Sequence, residues 1–415
     1  MVTVAIVGAG SRGATYAARA TATGKARVVA VAEPRPAAQK ALADSYDVPP
    51  EAVFDDWRDL LARPRLADIA VIATQDQEHM EPAVELARRG YHLLLEKPMA
   101  TTEAACEAIV RAAEEAGVLL AVCHVLRYTP YTRLLKSIVD SGRIGDIVSV
   151  EHLEPVGWWH HAHSYVRGNW RREAESTFML MAKSCHDLDW LAHVIGRPAA
   201  RVSSFGGLYE FRPERKPAGA ADRCLDCAVE PDCPYSAPRI YLPFLDEPDR
   251  VWPLSVVTTD RTEEGVRNAL RDGPYGRCVY ACDNDVVDHQ VVGIEYTGGV
   301  TASFTMTAFA PVSHRKTRVF GTRGSLDGDG ESITVHDFLT GPETVRPLPA
   351  GGATADDGHG GGDQGLVDAF IEAVRTGDRS LILTNGRDSL ESHRLVWAAE
   401  RARRTGTVVN LEGTR

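Results

Sequence analysis

Residues 2–13, which read VTVAIVGAGSRG, decide the fold of the N-terminal part of the chain. The β-branched and small apolar run Val2–Val7 predicts a buried strand, and the glycines after it have the G-x-G-x-x-G spacing of a dinucleotide-binding turn. Gly8 permits the tight turn, Gly10 lets the backbone approach a pyrophosphate, and Gly13 allows close packing of helix on strand. The helix that follows would offer free N–H groups to the anion. The residues predicted to bind the phosphates are Gly8, Gly10, Ser11, Arg12 and Gly13. The alternative is an ordinary glycine turn.

The alternation of predicted strands and helices continues as far as residue 124. Short apolar runs alternate with Ala-rich stretches of helical character, and such alternation predicts a parallel, doubly wound sheet. The further predicted strands are Val28–Ala32, Ile69–Ala73, His92–Leu95 and Val118–Val122. We therefore expect residues 1–124 to form a dinucleotide-binding domain of the Rossmann type.

Residues 125–415 lack this regular alternation, and their pattern predicts an α+β domain. Long strands are expected at Val286–Tyr296, Val300–Phe309 and Lys316–Gly321, and the first two are joined by a turn at Gly298-Gly299, which makes them antiparallel. The predicted helices are Pro130–Ser141, Phe178–Ile195, Gly365–Thr376 and Ser389–Thr405. Residues 210–285 are rich in Pro, Cys and Asp and are expected to form an irregular insertion.

Length and charge limit the function classes. The chain has 415 residues, which predicts two or three domains, and its net charge of −11 argues against a nucleic-acid-binding function. No apolar run reaches the roughly 18 residues of a membrane helix, and the N-terminus lacks the layout of a signal peptide. We therefore expect a cytoplasmic protein with no membrane partner.

An acidic residue follows the second predicted strand. Glu33 lies twenty residues after Gly13, where a carboxylate would bond the ribose hydroxyls and repel a 2′-phosphate. This favours NAD. Because Arg35 is close in sequence and an arginine can hold that phosphate, NADP stays open as the alternative.

The fourth predicted strand runs into Glu96-Lys97-Pro98. In an open α/β sheet, ligands bind beyond the carboxyl ends of the strands. Glu96 and Lys97 are therefore expected at the cleft beside the nicotinamide. The alternative is a capping lysine followed by a helix-starting proline.

These motifs occur in an order that resembles the Gfo/Idh/MocA family of oxidoreductases. The matching stretches are Gly8–Gly13, Ala73-Thr74 with His79, Glu96–Pro98, Arg127–Pro130 and His186–Asp189. The resemblance covers the first 200 residues well and the rest in outline. It implies a Rossmann domain followed by a large, mostly antiparallel, open-faced sheet. It also implies NAD(P)-linked oxidation or reduction of sugars and polyols, in homodimers or tetramers.

The resemblance also suggests roles for individual residues. Lys97 looks like the family's active-site lysine, and His186 like its acid/base histidine. The positions similar to cofactor-binding ones are Thr74, His79, Glu96 and Arg127. One departure is that Ala182 stands where many members have Asp, and Lys183 follows it. On one helix Lys183 and His186 would share a face, and the lysine would hold the histidine neutral as a third catalytic residue. The alternative makes Lys183 a helix-surface residue.

A stretch dense in Trp and His, Gly157–Arg172, is expected to contact substrate. Indole faces suit sugar C–H groups, and His, Asn and Arg bond hydroxyls and carboxylates. The residues predicted to bind a carbohydrate are His163, Arg167, Asn169, Trp170 and, at the start of a later strand, His289. The alternative is a packed loop with structural tryptophans.

The cysteines of the insertion suggest a structural metal. Cys224, Cys227 and Cys233 have a C-x2-C-x5-C spacing, and Cys282 (or Cys278) would complete a four-thiolate zinc site. Ordinary reduced thiols are the alternative.

Three function classes remain. The first is an NAD(P)-dependent dehydrogenase of sugars or polyols, in which Lys97 and His186 assist proton transfer. The second is a redox-neutral glycosidase or lyase that oxidises its substrate transiently and then eliminates. The third is a non-catalytic NAD-binding protein, against which the intact Lys97 and His186 argue.

Overall fold

The computed structural model describes residues 1–248, 250–348 and 359–411. Its first sheet is parallel, has the strand order β3-β2-β1-β4-β5-β6, and confirms the predicted Rossmann-type fold. The strands are β1 Val2–Val7, β2 Ala26–Ala32, β3 Val53–Phe54, β4 Ile69–Ile72, β5 His92–Leu95 and β6 Leu120–Val122. The helices between them are α1 Ser11–Ala22, α2 Pro36–Ser45, α3 Trp57–Leu61, α4 Met80–Arg88 and α5 Glu103–Glu115. The strands of this sheet are buried on both faces, which explains the unbroken apolar runs in the sequence.

The second sheet has nine strands in the order β14-β13-β12-β11-β7-β10-β9-β8-β15, and only its β7–β10 pair is parallel. The strands are β7 Ile147–Pro155, β8 Ala199–Gly207, β9 His289–Tyr296, β10 Thr301–Thr307, β11 Lys316–Gly321, β12 Gly324–Gly328, β13 Ile333–Asp337, β14 Gly341–Val345 and β15 Val409–Asn410. Gly298 and Gly299 both have positive φ angles and form the expected turn between β9 and β10. Alternate side chains of this sheet face the helices, so one sheet face is covered and the other is open.

The helices of the second half pack on the two sheets or in a separate small core. They are α6 Pro130–Asp140, α7 Trp158–His161, α8 Met179–Ala182, α9 Cys185–Ile195, α10 Ala237–Tyr241, α11 Leu254–Val257, α12 Glu263–Asp272, α13 Gly362–Thr376 and α14 Gly386–Thr405. Helix α9 packs on β7 and β10, and α14 packs on α9 and β8. Helix α13 returns to the first sheet, where Leu366 and Phe370 join the same core as Ile6.

Two local predictions differ from the structure. The single helix predicted over Phe178–Ile195 is two helices, α8 and α9, separated at Lys183-Ser184. Both pieces are buried on nearly every side, so no change in hydrophobic periodicity marks the break. The Trp/His stretch predicted as a loop is helix α7 followed by a π-helix over Ala162–Arg167. It packs in a separate small core with α10 and α12, and because that core surrounds it, the segment shows no amphipathic pattern.

Among the helices in the described part of the chain, none is long and apolar enough to cross a membrane.

Candidate active site

The phosphate-binding turn has the geometry that its glycines predict. Gly8 has φ +93°, and a Cβ there would lie 2.5 Å from the carbonyl oxygen of Ala73. A Cβ on Gly13 would lie 1.9 Å from the carbonyl oxygen of Gly8. Helix α1 can therefore begin directly against β1, and among the described residues its first N–H groups have no partner within the helix and no capping side chain. This cradle fits a dinucleotide pyrophosphate.

Glu33 is fixed at the end of β2. Its carboxylate accepts hydrogen bonds from the backbone N–H of Ala9 at 2.7 Å and from Nε and Nη2 of Arg35 at 2.6 and 2.8 Å. Burial alone would raise the pKa of Glu33, but the hydrogen bonds from Arg35 and Ala9 lower it below its ordinary value. A charged carboxylate therefore stands where the ribose would bind.

Thr74 and His79 lie after the carboxyl end of β4. The Thr74 hydroxyl is buried without a hydrogen-bond partner in the described structure, which marks a polar group prepared for a ligand. The His79 ring lies between the carbonyl oxygens of Pro98, 2.8 Å from Nδ1, and Thr74, 3.2 Å from Nε2. These contacts tie the β4 and β5 loops together at the predicted nicotinamide side.

Arg12 joins the phosphate-binding turn to two acidic residues. Its Nε donates to Glu96 Oε1 at 2.6 Å and its Nη2 donates to Asp363 Oδ1 at 2.5 Å. The Tyr16 hydroxyl also donates to Glu96 Oε1, at 2.7 Å. Burial would raise the pKa of Glu96, but the charges of Arg12 and Lys97 lower it. The Glu96 of the Glu-Lys-Pro motif thus positions Arg12.

Lys97 projects from the end of β5 toward the second domain. Its Nζ donates to the carbonyl oxygen of Ala182 at 2.7 Å, and the Lys97–Pro98 peptide bond is cis. Ala182 ends α8, the helix that precedes His186. No ion pair neutralises the Lys97 ammonium group within the described residues, so it is free to stabilise negative charge on a ligand.

His186, in the first turn of α9, lies beside this lysine. It is 4% exposed, and its Nδ1 is buried without a partner in the described structure. Burial, and then the charge of Lys97, lower the pKa of His186 well below its ordinary value. The imidazole is therefore neutral at neutral pH and can accept a proton.

Lys183 lies in the same cleft with a different partner from the one predicted. It sits in the break between α8 and α9, so it does not share a helix face with His186. Its Nζ is 3.4 Å from Glu154 Oε1, and the other Glu154 oxygen is 2.8 Å from Arg315 Nη2. Burial and the charge of Arg315 lower the pKa of Lys183, although Glu154 opposes this. The cations that lower the pKa of His186 are Lys97 and, to a smaller extent, Arg315.

Buried ion pairs hold α9 in position. Asp187 accepts from Arg315 Nε at 2.5 Å and lies 3.2 Å from Nε2 of His152. Asp189 accepts two hydrogen bonds of 2.7 Å from Arg127, whose Nη1 also donates to the carbonyl oxygen of Leu383. Arg127, predicted as a cofactor-binding residue, thus contacts α9 and the segment before α14, and these contacts position the His186 helix.

The predicted substrate residues are dispersed. His163 and Arg167 are buried in the small core, where His163 bonds the Tyr241 hydroxyl and Arg167 bonds the carbonyl oxygens of Tyr235 and Arg277. They therefore do not reach the cleft as predicted. Asn169 is exposed, Trp170 donates to Asp76, and His289 at the start of β9 pairs with Asp288.

Sequence reasoning missed several cleft residues. His160 of the Trp/His stretch is one of them: burial, and then the charge of Lys183, lower its pKa. Glu154 and Arg315 enter from β7 and the turn before β11, and neither belongs to a recognisable motif. His359 lies 5.8 Å from His186, measured between ring centroids. His359 is not among the predicted site residues, although the glycines of His359-Gly-Gly-Gly-Asp363 would allow a loop to fold over the cleft.

The cysteine cluster gives the predicted zinc no support. Cys224, Cys227, Cys233 and Cys278 line one small cavity, but the Cys282 thiol donates instead to the carbonyl oxygen of Cys278. In the described ranges, no three Cys, His, Asp or Glu side chains are arranged to hold a metal, and all eight cysteines are free.

Comparison with known proteins bears on both domains. Residues 2–124 match the family model GFO_IDH_MocA, described as an oxidoreductase family with an NAD-binding Rossmann fold. Residues 136–411 match the model for the C-terminal alpha/beta domain of the same family.

Three relatives show how far the likeness extends. YteT of Bacillus subtilis, a protein named as an oxidoreductase, is 24% identical over 76% of this chain and 75% of its own length. The 2,7-anhydro-N-acetylneuraminate hydratase of Escherichia coli is 28% identical over 36% of this chain and 39% of its own. The scyllo-inositol 2-dehydrogenase (NADP(+)) IolW of Bacillus subtilis is 28% identical over 37% of this chain and 42% of its own.

A solved structure shares the fold of the whole chain. It is an oxidoreductase from Agrobacterium radiobacter in complex with NAD+, L-tartaric acid and magnesium. It covers 99% of this chain and 98% of its own, with a TM-score of 0.72 and 16% identity.

Proposed function

The chain belongs to the Gfo/Idh/MocA oxidoreductase family, and we propose that it moves a hydride between a hydroxyl-bearing carbon of a sugar, polyol or related compound and a nicotinamide dinucleotide. The observation that carries this proposal is the meeting of Lys97 with the neutral His186 at the carboxyl end of the parallel sheet. An unpaired ammonium group and an unprotonated imidazole are the two groups that oxidation of an alcohol needs.

The dinucleotide would be held by the residues already described. The amides of Gly10 and Ser11 face the pyrophosphate, Glu33 the adenosine ribose, and Thr74 and His79 the nicotinamide half. When bound, the nicotinamide supplies the hydride acceptor.

The chain's own residues would manage the proton and the developing charge. Lys97 donates a hydrogen bond to the substrate hydroxyl, and His186 accepts its proton as the C–H hydride leaves. The O–H electron pair then forms the carbonyl bond, and Lys97 stabilises negative charge on oxygen during the transfer. Lys183 and Arg315, held by Glu154, orient the rest of the substrate.

Activity on a defined panel tests this proposal. Myo-inositol, D-glucose, D-glucuronate and methyl β-D-glucoside are each mixed with protein and NAD, and NADH formation is followed by absorbance. Product NMR then identifies the oxidised carbon. Failure of both NAD and NADP to bind, measured by calorimetry, would refute the proposal.

Cofactor choice is expected to depend on Glu33. Replacing Glu33 by Ser removes the charge that repels a 2′-phosphate and frees Arg35 to bind it. We expect the ratio of kcat/KM for NADP to that for NAD to rise about 30-fold, the effect of one charge-assisted hydrogen bond. Adding Arg35→Ala to this variant should abolish the gain. A ratio within twofold of the wild-type value would contradict the assignment.

The pH profile is expected to report the neutral His186. A base works only when unprotonated, so a lowered pKa moves the loss of activity to lower pH. An ordinary histidine would lose half its activity near about pH 6.5. Because burial and Lys97 lower the pKa of His186, we expect kcat/KM to stay flat from pH 8 down to pH 6. A midpoint at or above pH 6.5 would exclude His186 as the base.

A redox-neutral glycosidase or lyase is the second candidate. It would oxidise a hydroxyl, eliminate across the neighbouring carbons and reduce the product again. Two observations favour it: a relative is named a hydratase of an anhydro sugar, and two neutral imidazoles, His186 and His359, lie together in the cleft. Product NMR with sub-stoichiometric NAD distinguishes the two. Product that exceeds the supplied NAD indicates elimination, and product that stops at the NAD supply indicates a dehydrogenase.

We also propose a homodimer or tetramer. Phe205 and Val291 are paired across β8 and β9 on the open sheet face and are 69% and 44% exposed. Light scattering measures the assembly directly.

A further inference from the structure

We propose that His359, oriented by Asp363, is a second acid/base residue of the active site. In this role it takes a proton from the carbon next to the oxidised one and later returns it. The inference rests on the proposed function, because that carbon becomes acidic only after the hydroxyl has been oxidised.

Asp363 fixes the orientation of the His359 ring. Its Oδ2 is 3.0 Å from Nδ1 of His359, and the carboxylate is fully buried and also held by Arg12. The charge of Arg12 keeps Asp363 ionised, although burial opposes ionisation. An ionised carboxylate only accepts, so Nδ1 carries the proton and Nε2 is the basic atom.

The basic Nε2 atom is the unpartnered nitrogen of the ring: it has no hydrogen-bond partner among the described residues and is not fully buried. The ring lies 5.8 Å from that of His186, and burial together with the charges of Arg12 and Lys183 lowers the His359 pKa against the opposing effect of Asp363. Two neutral imidazoles therefore face one substrate space beside Lys97.

The backbone at His359 and the two glycines after it is left-handed. His359, Gly360 and Gly361 have φ angles of +48°, +62° and +82°. Glycine adopts this left-handed conformation easily, whereas a histidine there is uncommon and costs conformational energy. The tight left-handed run turns the chain into α13 and brings His359 back over Asp363.

The step balances without a further reagent. After oxidation, the C–H bond next to the new carbonyl breaks, its proton goes to Nε2 of His359, and its electron pair moves to give an enolate. Lys97 stabilises the enolate oxygen by a hydrogen bond. Reversal restores the C–H bond, and in D2O the exchanged imidazolium delivers deuterium. If the carbon beyond carries a leaving group, the same enolate expels it.

The test uses the full chain with NAD and whichever panel compound it oxidises, in D2O. NMR follows deuterium at the carbon adjacent to the oxidised one, and absorbance follows NADH. In His359→Asn, whose asparagine tolerates the positive φ, we expect deuterium incorporation to fall about 100-fold, a typical acid/base contribution. We expect NADH formation to fall less than tenfold. His336→Asn, at a partly exposed strand position, is the matched control.

Three outcomes would overturn the role. The first is wild-type protein that forms NADH without incorporating deuterium. The second is a His359→Asn variant that incorporates deuterium at the wild-type rate. The third is an equal loss of deuterium incorporation and NADH formation in that variant. A separate measurement needs no substrate. Diethyl pyrocarbonate should modify His359 at least ten times faster than the buried His163, by peptide mass spectrometry. An unmodified His359 when His336 has reacted fully would refute the free Nε2, whereas absence of NADH formation alone would refute only the proposed function.

Discussion

Replacing Lys97 by methionine is expected to lower kcat/KM by about 10³-fold, within the range of acid/base and charge-stabilising residues. The methionine preserves the length of the side chain but removes the ammonium group that would stabilise the alkoxide. It also removes the hydrogen bond to the carbonyl oxygen of Ala182. Because Lys97 lies beyond the phosphate-binding turn, NAD affinity should change less than threefold. Steady-state kinetics with the panel compound that the protein oxidises gives kcat/KM. Calorimetry with NAD gives the affinity for the cofactor.

The control for Lys97 is Lys40→Met. Lys40 lies on α2, its side chain is 76% exposed, and its ion pair with Asp44 is a surface one. Its replacement should leave both quantities unchanged. Loss of less than tenfold in Lys97→Met would show that another group stabilises the charge, and Lys183 would become the first residue to test.

Replacing Gly13 by alanine is expected to weaken both folding and cofactor binding. The new Cβ would be placed 1.9 Å from the carbonyl oxygen of Gly8, so α1 must move away from β1 by more than 1 Å. Overpacking of this kind costs about 3 kcal/mol of unfolding free energy. Because the phosphate-binding N–H groups move with the helix, NAD affinity should fall about 100-fold. Urea denaturation and calorimetry measure the two effects.

Gly207→Ala is the matched control for Gly13→Ala. Gly207 ends β8, and a Cβ there would have nothing within 4 Å. The free energy of unfolding of Gly207→Ala should differ from that of the wild type by less than about 0.5 kcal/mol. If Gly13→Ala behaved like this control, the close approach of α1 to β1 would not be needed.

Local features of the sequence were enough to predict the strand, the glycine turn and the helix that carry the proposed cofactor-binding residues. A buried strand, a glycine turn and a helix are adjacent in the chain, so their spacing alone fixes Gly8, Gly13 and, through the next strand, Glu33. Lys97 was predictable for a related reason, since strand ends in a parallel sheet meet at one edge.

The substrate side depends on contacts between distant segments, and sequence reasoning found less of it. Glu154 and Arg315 meet only because β7 and β11 are neighbours in the second sheet. In the Trp/His stretch, residue type suggested His163 and Arg167 as substrate-binding residues. The π-helix instead directs their side chains into the small core, and His160 is the histidine on which the charge of Lys183 acts. Residue chemistry favoured this segment as a substrate-binding one, whereas packing set the direction of each side chain.

The return of α13 to the first sheet has a consequence for synthesis of the chain. Leu366 and Phe370 of α13, with Ile382 and Leu390 after that helix, complete a core most of whose members lie in the first 128 residues. At translation rates of about 5–20 residues per second, the ribosome needs roughly 13 to 50 s to add the residues between 124 and 376. During that interval the nascent N-terminal domain exposes the apolar surface that α13 will cover. We therefore expect chaperones to bind the growing chain at this surface until α13 emerges.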